Sequence, residues 1–279
     1  MSIRVADVCV VIPSFNYARF LTDAVESVWR QRHSASEIII SDDGSTDESV
    51  ATAHALAEKS PIPIKVIATS HVGLHESLNR SLRSTKCELF AVLAADDRWR
   101  DSFLARQVAH FADPQVVLAH CDYSSIDAAG LALPDVPRSG TPATGHSLSQ
   151  LMRGQSTVRT GAVARVSVAQ SFGGFDPTYP QEDWSFFLRC AARGALAYTD
   201  APLVERRVHG ANYSVRFAAE QTYELAYKGA AVPLLIELAP DESVLADALA
   251  FHLGVPLRMA LFHTNFRGAA DVLFGAVRN

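Results

Sequence analysis

"IIISDDGSTDES", residues 38–49, sets three isoleucines directly against a cluster of acids and hydroxyls. The apolar half has the length and β-branching of a strand buried on both faces. The polar half begins where such a strand would leave the core, and Ser45-x-x-Glu48 has the spacing of a capping box opening the next helix. The stretch therefore predicts a buried strand whose carboxyl end carries carboxylates, followed by a helix.

The same grammar recurs on both sides of it. Val8 to Ile12, Glu37 to Ser41, Ile64 to Ala68, Leu89 to Ala94 and Val116 to Cys121 are short runs rich in Val and Ile, too continuous for strands with one wet face. Between them lie helical spacings: Phe20, Leu21, Ala24, Val25, Val28 and Trp29 share one face, and His75 to Ser84 and Ser102 to Ala112 continue the alternation. Strand and helix alternating over some 120 residues predict an α/β fold, a mostly parallel sheet with right-handed crossovers and helices on both faces. Ligands of such sheets bind outside the carboxyl ends of the strands. Here those ends read Pro13-Ser14-Phe15-Asn16, Asp42-Asp43-Gly44-Ser45 and Asp96-Asp97, three polar loops on one rim.

The rhythm stops near residue 122. Gly and Pro density from Tyr123 to Gly145 marks loops or a hairpin. Then come "GGFDPTYPQEDWSFFLRCAARG", where Glu182 and Asp183 begin a helix carrying Phe186, Phe187, Cys190 and Ala191, and "VERRVHGANYS". After Ser214 the pattern is helical, with breaks expected at Pro233, Pro240 and Pro256.

The chain has 279 residues, 48% hydrophobic and 20% charged, enough for a sizeable core, and a formal net charge of -5 that gives no long-range pull on polyanions; nucleic acid is not the expected partner. Four widely spaced cysteines without a C-x-x-C read as buried thiols in a reducing compartment. The start lacks the layout of a signal peptide, and Asp247, His252, Pro256 and Arg258 interrupt the longest late apolar region. The expectation is a cytoplasmic chain able to work at the inner face of a membrane without crossing it.

Glycine-rich phosphate loops are absent, because the first turn, "PSFNYARF", contains no glycine; "SDDGSTDES" also fails the spacing of a calcium loop. The remaining reading is that strand-end carboxylates hold the polar parts of a nucleotide and, through a divalent cation, its diphosphate. Taken singly, either acidic loop is explained as well by capping of the next helix.

"VCVVIPSFNYARFLTDAVESVWRQ", "EIIISDDGSTDES", "LNRSLRSTKCELFAVLAADDRW", "GGFDP", "QEDWSFFLRCAARG" and "RRVHGANYS", in this order over residues 5 to 215, resemble the family 2 type of inverting nucleotide-sugar glycosyltransferases with the GT-A fold. The resemblance implies a three-layer GT-A domain over 1–215, with a nucleotide-sugar-binding half at 1–122 and an acceptor half at 123–215, and a helical C-terminal region at 216–279. It implies donor contacts at Pro13, Ser14, Asn16, Asp42, Asp43, Asn79, Asp96 and Asp97, with Asp43 at the base edge. The D-x-D signature falls on Ala94-Ala95-Asp96, so the first acid is missing; the last, Asp96, is the expected metal ligand, with His209 beside it, for Mn²⁺ or Mg²⁺. Leu78 stands where relatives often have Arg, and Ser81 where they often have Gly. The expected partners are a UDP-sugar donor and a glycan or glycolipid acceptor, although sequence alone fixes neither base, sugar nor acceptor.

Inverting transfer needs one base for the acceptor proton and something to stabilise the departing diphosphate. The resemblance selects Asp183 as base, with Glu182 on acceptor hydroxyls or simply favouring the helix N-terminus. Trp184, Trp99 and Tyr179 could stack on sugars, yet rings beside oily helices are more often core; Trp184, next to the two acids, is the candidate acceptor contact. His71 and His75 receive no metal role. Acceptor choice is assigned to Ser124–Thr160 and the C-terminal helices. A sugar nucleotidyltransferase would share the sheet but needs a glycine-rich basic first loop, which is absent. A non-catalytic nucleotide-sugar-binding protein of the same fold is the other alternative, kept open by Ala94.

Overall fold

The computed structural model describes residues 6–134, 138, 140–179, 182–210 and 231–253. Its centre is an eight-stranded sheet, with β1 (Val8–Ser14), β2 (Glu37–Asp42), β3 (Ile64–Ala68), β4 (Leu89–Val92), β5 (Arg98–Trp99), β6 (Val116–Ile126), β9 (Thr160–Arg165) and β10 (Ala195–Arg207) in the order β3-β2-β1-β4-β9-β6-β10-β5. A two-stranded ribbon, β7 (Thr141–Pro142) and β8 (Ser156–Thr157), stands apart from it. Strands β1 to β4 pair in parallel, and β6 pairs in parallel with β10. β9 runs antiparallel to both β4 and β6, so β6 and β10 point the same way as β4. All these carboxyl ends open on one rim.

Alternation within the central strands divides the core into two layers. Val8, Val10, Ile12, Ile38 and Ile40 pack beneath α1 (Ala18–Trp29), α2 (Ser49–Lys59) and α4 (Phe103–Ala109). Cys9, Val11, Ile39, Phe90 and Leu118 pack beneath α3 (Leu74–Ser84), α5 (Leu148–Met152), α6 (Val166–Ser171), α7 (Glu182–Ala191), α8 (231–238) and α9 (Glu242–Leu253). In α1 the buried face is Phe20, Leu21, Ala24, Val25 and Val28, as its spacing predicts; each large side chain there contributes about 1.5–3 kcal/mol by leaving water.

Several expectations need correction. β3 is an edge strand with Lys65 and Ala68 exposed, so it is not buried on both faces. Ser45 does not cap α2, which starts at Ser49: its hydroxyl donates to Asp42 Oδ2 (2.6 Å), and Asp47 Oδ1 instead accepts from the Ser49 amide (3.0 Å). A carboxylate closer to the helix start displaced the hydroxyl. Pro233 stands in the first described turn of α8, and Pro240 separates α8 from α9; Pro256 and the helical reading of residues 215–230 and of those beyond 253 lie outside the described residues. Residues 127–132 form a tight turn closed by a bridge between Ile126 and Ala132. Trp99, stacked 4.0 Å from Phe103, and Tyr179 are core residues. The described cysteines are free, and three of the four, Cys9, Cys121 and Cys190, are buried. Among the described residues no helix is long and apolar enough to cross a membrane.

Candidate functional site

The first two rim loops are built into each other. Asn16 takes a left-handed backbone (φ 60°), which asparagine tolerates better than most residues. Its amide donates to Ser45 Oγ (2.8 Å), and its side-chain Oδ1 accepts from the amides of Thr46 (2.8 Å) and Asp47 (3.3 Å). In return Asp47 Oδ2 accepts from the Ala18 amide (3.1 Å), capping α1 from another loop. Burial pushes the Asp47 carboxyl up, but bonds from the Ser49 hydroxyl and the Ala18 and Ser49 amides outweigh it and hold it below its ordinary value. Asp42 is buried, its Oδ1 receiving the Gly44 (3.1 Å) and Ser45 (2.8 Å) amides. Pro13 and Ser14 pair with Ser41 and Asp42 at the strand ends, and the buried Ser14 hydroxyl has no partner among the described residues.

Asp43 faces α3. Its Oδ1 accepts from the Val72 amide (2.6 Å) and its Oδ2 from the Gly73 amide (3.0 Å), satisfying donors at the helix start. His71 Nδ1 lies 3.2 Å from Asp43 Oδ2, and its ring lies 4.7 Å from that of Phe15. An exposed pair of rings thus flanks a carboxylate at the end of β2, the kind of surface that can meet a flat heterocycle.

Asp96 and His209 meet. His209 Nε2 lies 3.1 Å from Asp96 Oδ2, with the side chains 3% and 10% exposed respectively. The His209 ring contacts Phe20 (4.9 Å between centroids) and Tyr17 (6.0 Å). Two ligands at right angles, each about 2.1 Å from an octahedral cation, lie about 3.0 Å apart. The two groups therefore fit one divalent cation, Asp96 by oxygen and His209 by a neutral ring nitrogen. Among the described residues no group of three or more His, Cys, Asp or Glu forms a cage; diphosphate and water oxygens are ligands that suit such a cation. Asp97 does not share that role: it accepts from the Arg207 amide (2.8 Å), and burial, reinforced by the Asp96 charge, pushes its carboxyl up to about 7.

Asn79 lies elsewhere in the site. Its side chain is a two-way clamp on the backbone of Phe175, in the loop leading to α7. α7 runs down to the start of β10, so Glu182 and Asp183 stand on the rim side. Glu182 is half-buried and Asp183 reaches solvent, yet protein crowds both carboxyls. That burial raises the pKa of each, and the Asp183 charge adds to the rise at Glu182, as expected for two adjacent acids at one helix start. Trp184 is half-buried, its ring edge-on to His252 of α9 at 5.1 Å.

The structure thus joins Asp96 to His209, Asp43 to the start of α3, and Asn79 to the approach of α7. Sequence reasoning missed Arg207, whose buried guanidinium donates to the Asp96 carbonyl (2.8 Å) and to Asp23 (2.8 Å). Only the period-two alternation of β10 hinted at it, by turning Arg206 outward and Arg207 inward.

The sequence model of Glycosyl transferase family 2 matches residues 9–167. An uncharacterized glycosyltransferase of Nostoc sp. is 28% identical over 241 residues, covering 84% of this chain and 74% of that one. One from Haemophilus influenzae is 25% identical over 183 residues, covering 66% of this chain and 71% of that one. Among solved structures, S. aureus TarS 1-349 in complex with UDP-GlcNAc superposes with a TM-score of 0.69 at 14% identity, covering 94% of this chain and 77% of that one. The mannosyltransferase PcManGT from Pyrobaculum calidifontis in complex with GDP-Man and Mn²⁺ gives 0.65 at 18% identity, covering 98% and 80%. These likenesses show a shared GT-A fold.

Proposed function

Because this chain belongs to glycosyl transferase family 2, we propose that it transfers a sugar from a nucleoside-diphosphate sugar to an acceptor hydroxyl with inversion at the anomeric carbon. The observation that carries the reading is the Asp96–His209 pair, 3.1 Å apart beside a rim whose other loops offer Asp43 and two flanking rings. The nucleoside would lie against Phe15, His71 and Asp43, and the diphosphate would reach Asp96 and His209. Mn²⁺ or Mg²⁺ held by those two residues would supply positive charge against the leaving diphosphate. Asp183, with a raised pKa at the head of α7, would accept the acceptor hydroxyl's proton, while Glu182 and Trp184 would contact the acceptor. Only one carboxylate has to work as a base, because the leaving group needs no general acid.

A UDP-sugar is the proposed donor, supported by the fold shared with TarS, whose structure holds UDP-GlcNAc; PcManGT, holding GDP-Man, keeps the guanosine alternative in the test. The acceptor would be a glycan or glycolipid, met in the cytoplasm at the inner face of a membrane. The test is thermal stabilisation by UDP, GDP and their sugars with and without Mn²⁺, together with transfer by Asp183→Asn. A shift from one nucleotide that grows with Mn²⁺, and a variant that binds donor but transfers nothing, are expected. Near-normal turnover by Asp183→Asn would rule out the base assignment, and Mn²⁺-independent binding would rule out the cation.

A further inference from the structure

We propose that Arg207 is a positioning residue that sets the spacing of Asp96 and His209. The inference rests on the metal-holding role proposed for that pair. Arg207 is one of the largest fully buried side chains in the molecule, and it lies two residues before His209. Two bonds clamp it to the loop carrying Asp96: its amide donates to Asp97 Oδ1 (2.8 Å) and its Nε donates to the Asp96 carbonyl (2.8 Å). Nη2 donates to Asp23 Oδ2 on α1 (2.8 Å), and Nη1 to the Ala128 carbonyl in the turn after β6 (3.2 Å). The guanidinium also lies 4.8 Å from the Phe20 ring, whose centroid is 4.9 Å from that of His209. One planar group therefore fixes the Asp96 loop, α1 and the 127–130 turn at the point where β10 delivers His209.

Stability alone does not account for this arrangement. Desolvating a guanidinium offsets much of what its hydrogen bonds contribute. What the group does well is hold several acceptors in fixed directions, which lysine cannot reproduce with a single compact charge. Groups that orient metal ligands without touching the metal typically change affinity by about 10–100-fold.

The experiment is a Mn²⁺ titration by electron paramagnetic resonance on the full chain with UDP present, comparing wild type, Arg207→Lys and Asp23→Ala. The accompanying readouts are UDP binding in EDTA and the nuclear Overhauser contact between the His209 and Phe20 rings. Arg207→Lys is expected to lose about tenfold or more in Mn²⁺ affinity, to lose the ring contact, and to keep its metal-free UDP binding. Asp23→Ala, a half-exposed position, shifts in the same direction by less and decides the matter if Arg207→Lys fails to fold. Unchanged Mn²⁺ affinity in the folded variants would overturn the proposal. So would a parallel loss of metal-free UDP binding, which marks a general structural role. A wild-type protein whose UDP binding ignores Mn²⁺ would instead overturn the reading of Asp96 and His209; Arg207 is then judged on the ring contact, whose persistence in Arg207→Lys counts against it.

Discussion

Asn79 and Phe175 hold each other by both ends of one amide: Asn79 Nδ2 donates to the Phe175 carbonyl (2.7 Å), and the Phe175 amide donates to Asn79 Oδ1 (2.8 Å). The pair is buried and joins α3, whose first turn receives Asp43, to the loop that launches α7. Gly174 completes the joint. Its φ is +81°, and a Cβ there would lie 2.3 Å from Asn79 Oδ1.

Removing the amide leaves two buried backbone groups without their partner. Asn79→Ala is therefore expected to lower unfolding stability by about 2–3 kcal/mol, and Gly174→Ala to destabilise through the same contact. Urea unfolding of both variants checks this; a wild-type midpoint for Asn79→Ala would mean that the clamp contributes nothing.

The raised carboxyls of Glu182 and Asp183 predict a pH profile. Burial, then the charge of Asp183, lifts Glu182, and by reciprocity the Glu182 charge opposes ionisation of Asp183. Activity that needs ionised Asp183 should fall, as pH drops, at a higher pH than an ordinary carboxylate would give. Glu182→Gln removes the repelling charge, so the acid limb of kcat/KM should move to lower pH. A limb that stays in place would show that the titrating group lies elsewhere.

His120 links pH to stability. It is fully buried and neutral: Nε2 donates to the Ala143 carbonyl (2.8 Å), and Nδ1 accepts from the Arg159 amide (3.1 Å). A second proton on Nδ1 would face that N–H. Burial chiefly, opposed by the Ala143 bond and aided by the Arg159 charge, lowers its pKa from 6.5 to about 4. The unfolded chain therefore takes up the proton first. The stability contributed by the neutral ring is complete above pH 6.5 and is lost as pH falls toward 4, to an extent of about 3 kcal/mol. His75, His110 and His252 shift in the same direction, also through burial. Urea midpoints at pH 7 and 4.5 for wild type and His120→Leu check the size; an equal loss in both proteins would remove His120 as the cause.

Strands β1, β2 and β4 were legible because runs such as Val8 to Ile12 and Ile38 to Ile40 have a composition that suits only a strand covered on both faces. The reversal at β9 was not, since Thr160–Arg165 carries no signal of direction; that is decided by the path of the chain through 127–159. The meeting of Asp96 and His209, 113 residues apart, was legible only through resemblance. Asp42, Asn16 and Asn79 show the limit of reading polar residues singly. Each was expected at the donor: Asp42 spends hydrogen bonds on the Gly44 and Ser45 amides of its own turn, and Asn16 and Asn79 spend theirs on neighbouring loops that the sequence could not place beside them. Arg207 stayed hidden because two adjacent arginines on a strand look alike until the sheet assigns one of them to the interior.

The mutual stitching of the turn after β1 to the loop after β2, with Asn16 bonding Thr46 and Asp47 capping Ala18, has a thermodynamic consequence. That edge of the cleft has already surrendered its conformational freedom during folding. A molecule arriving there meets a preorganised wall, and its association draws little on the ordering entropy that a floppy pocket would demand.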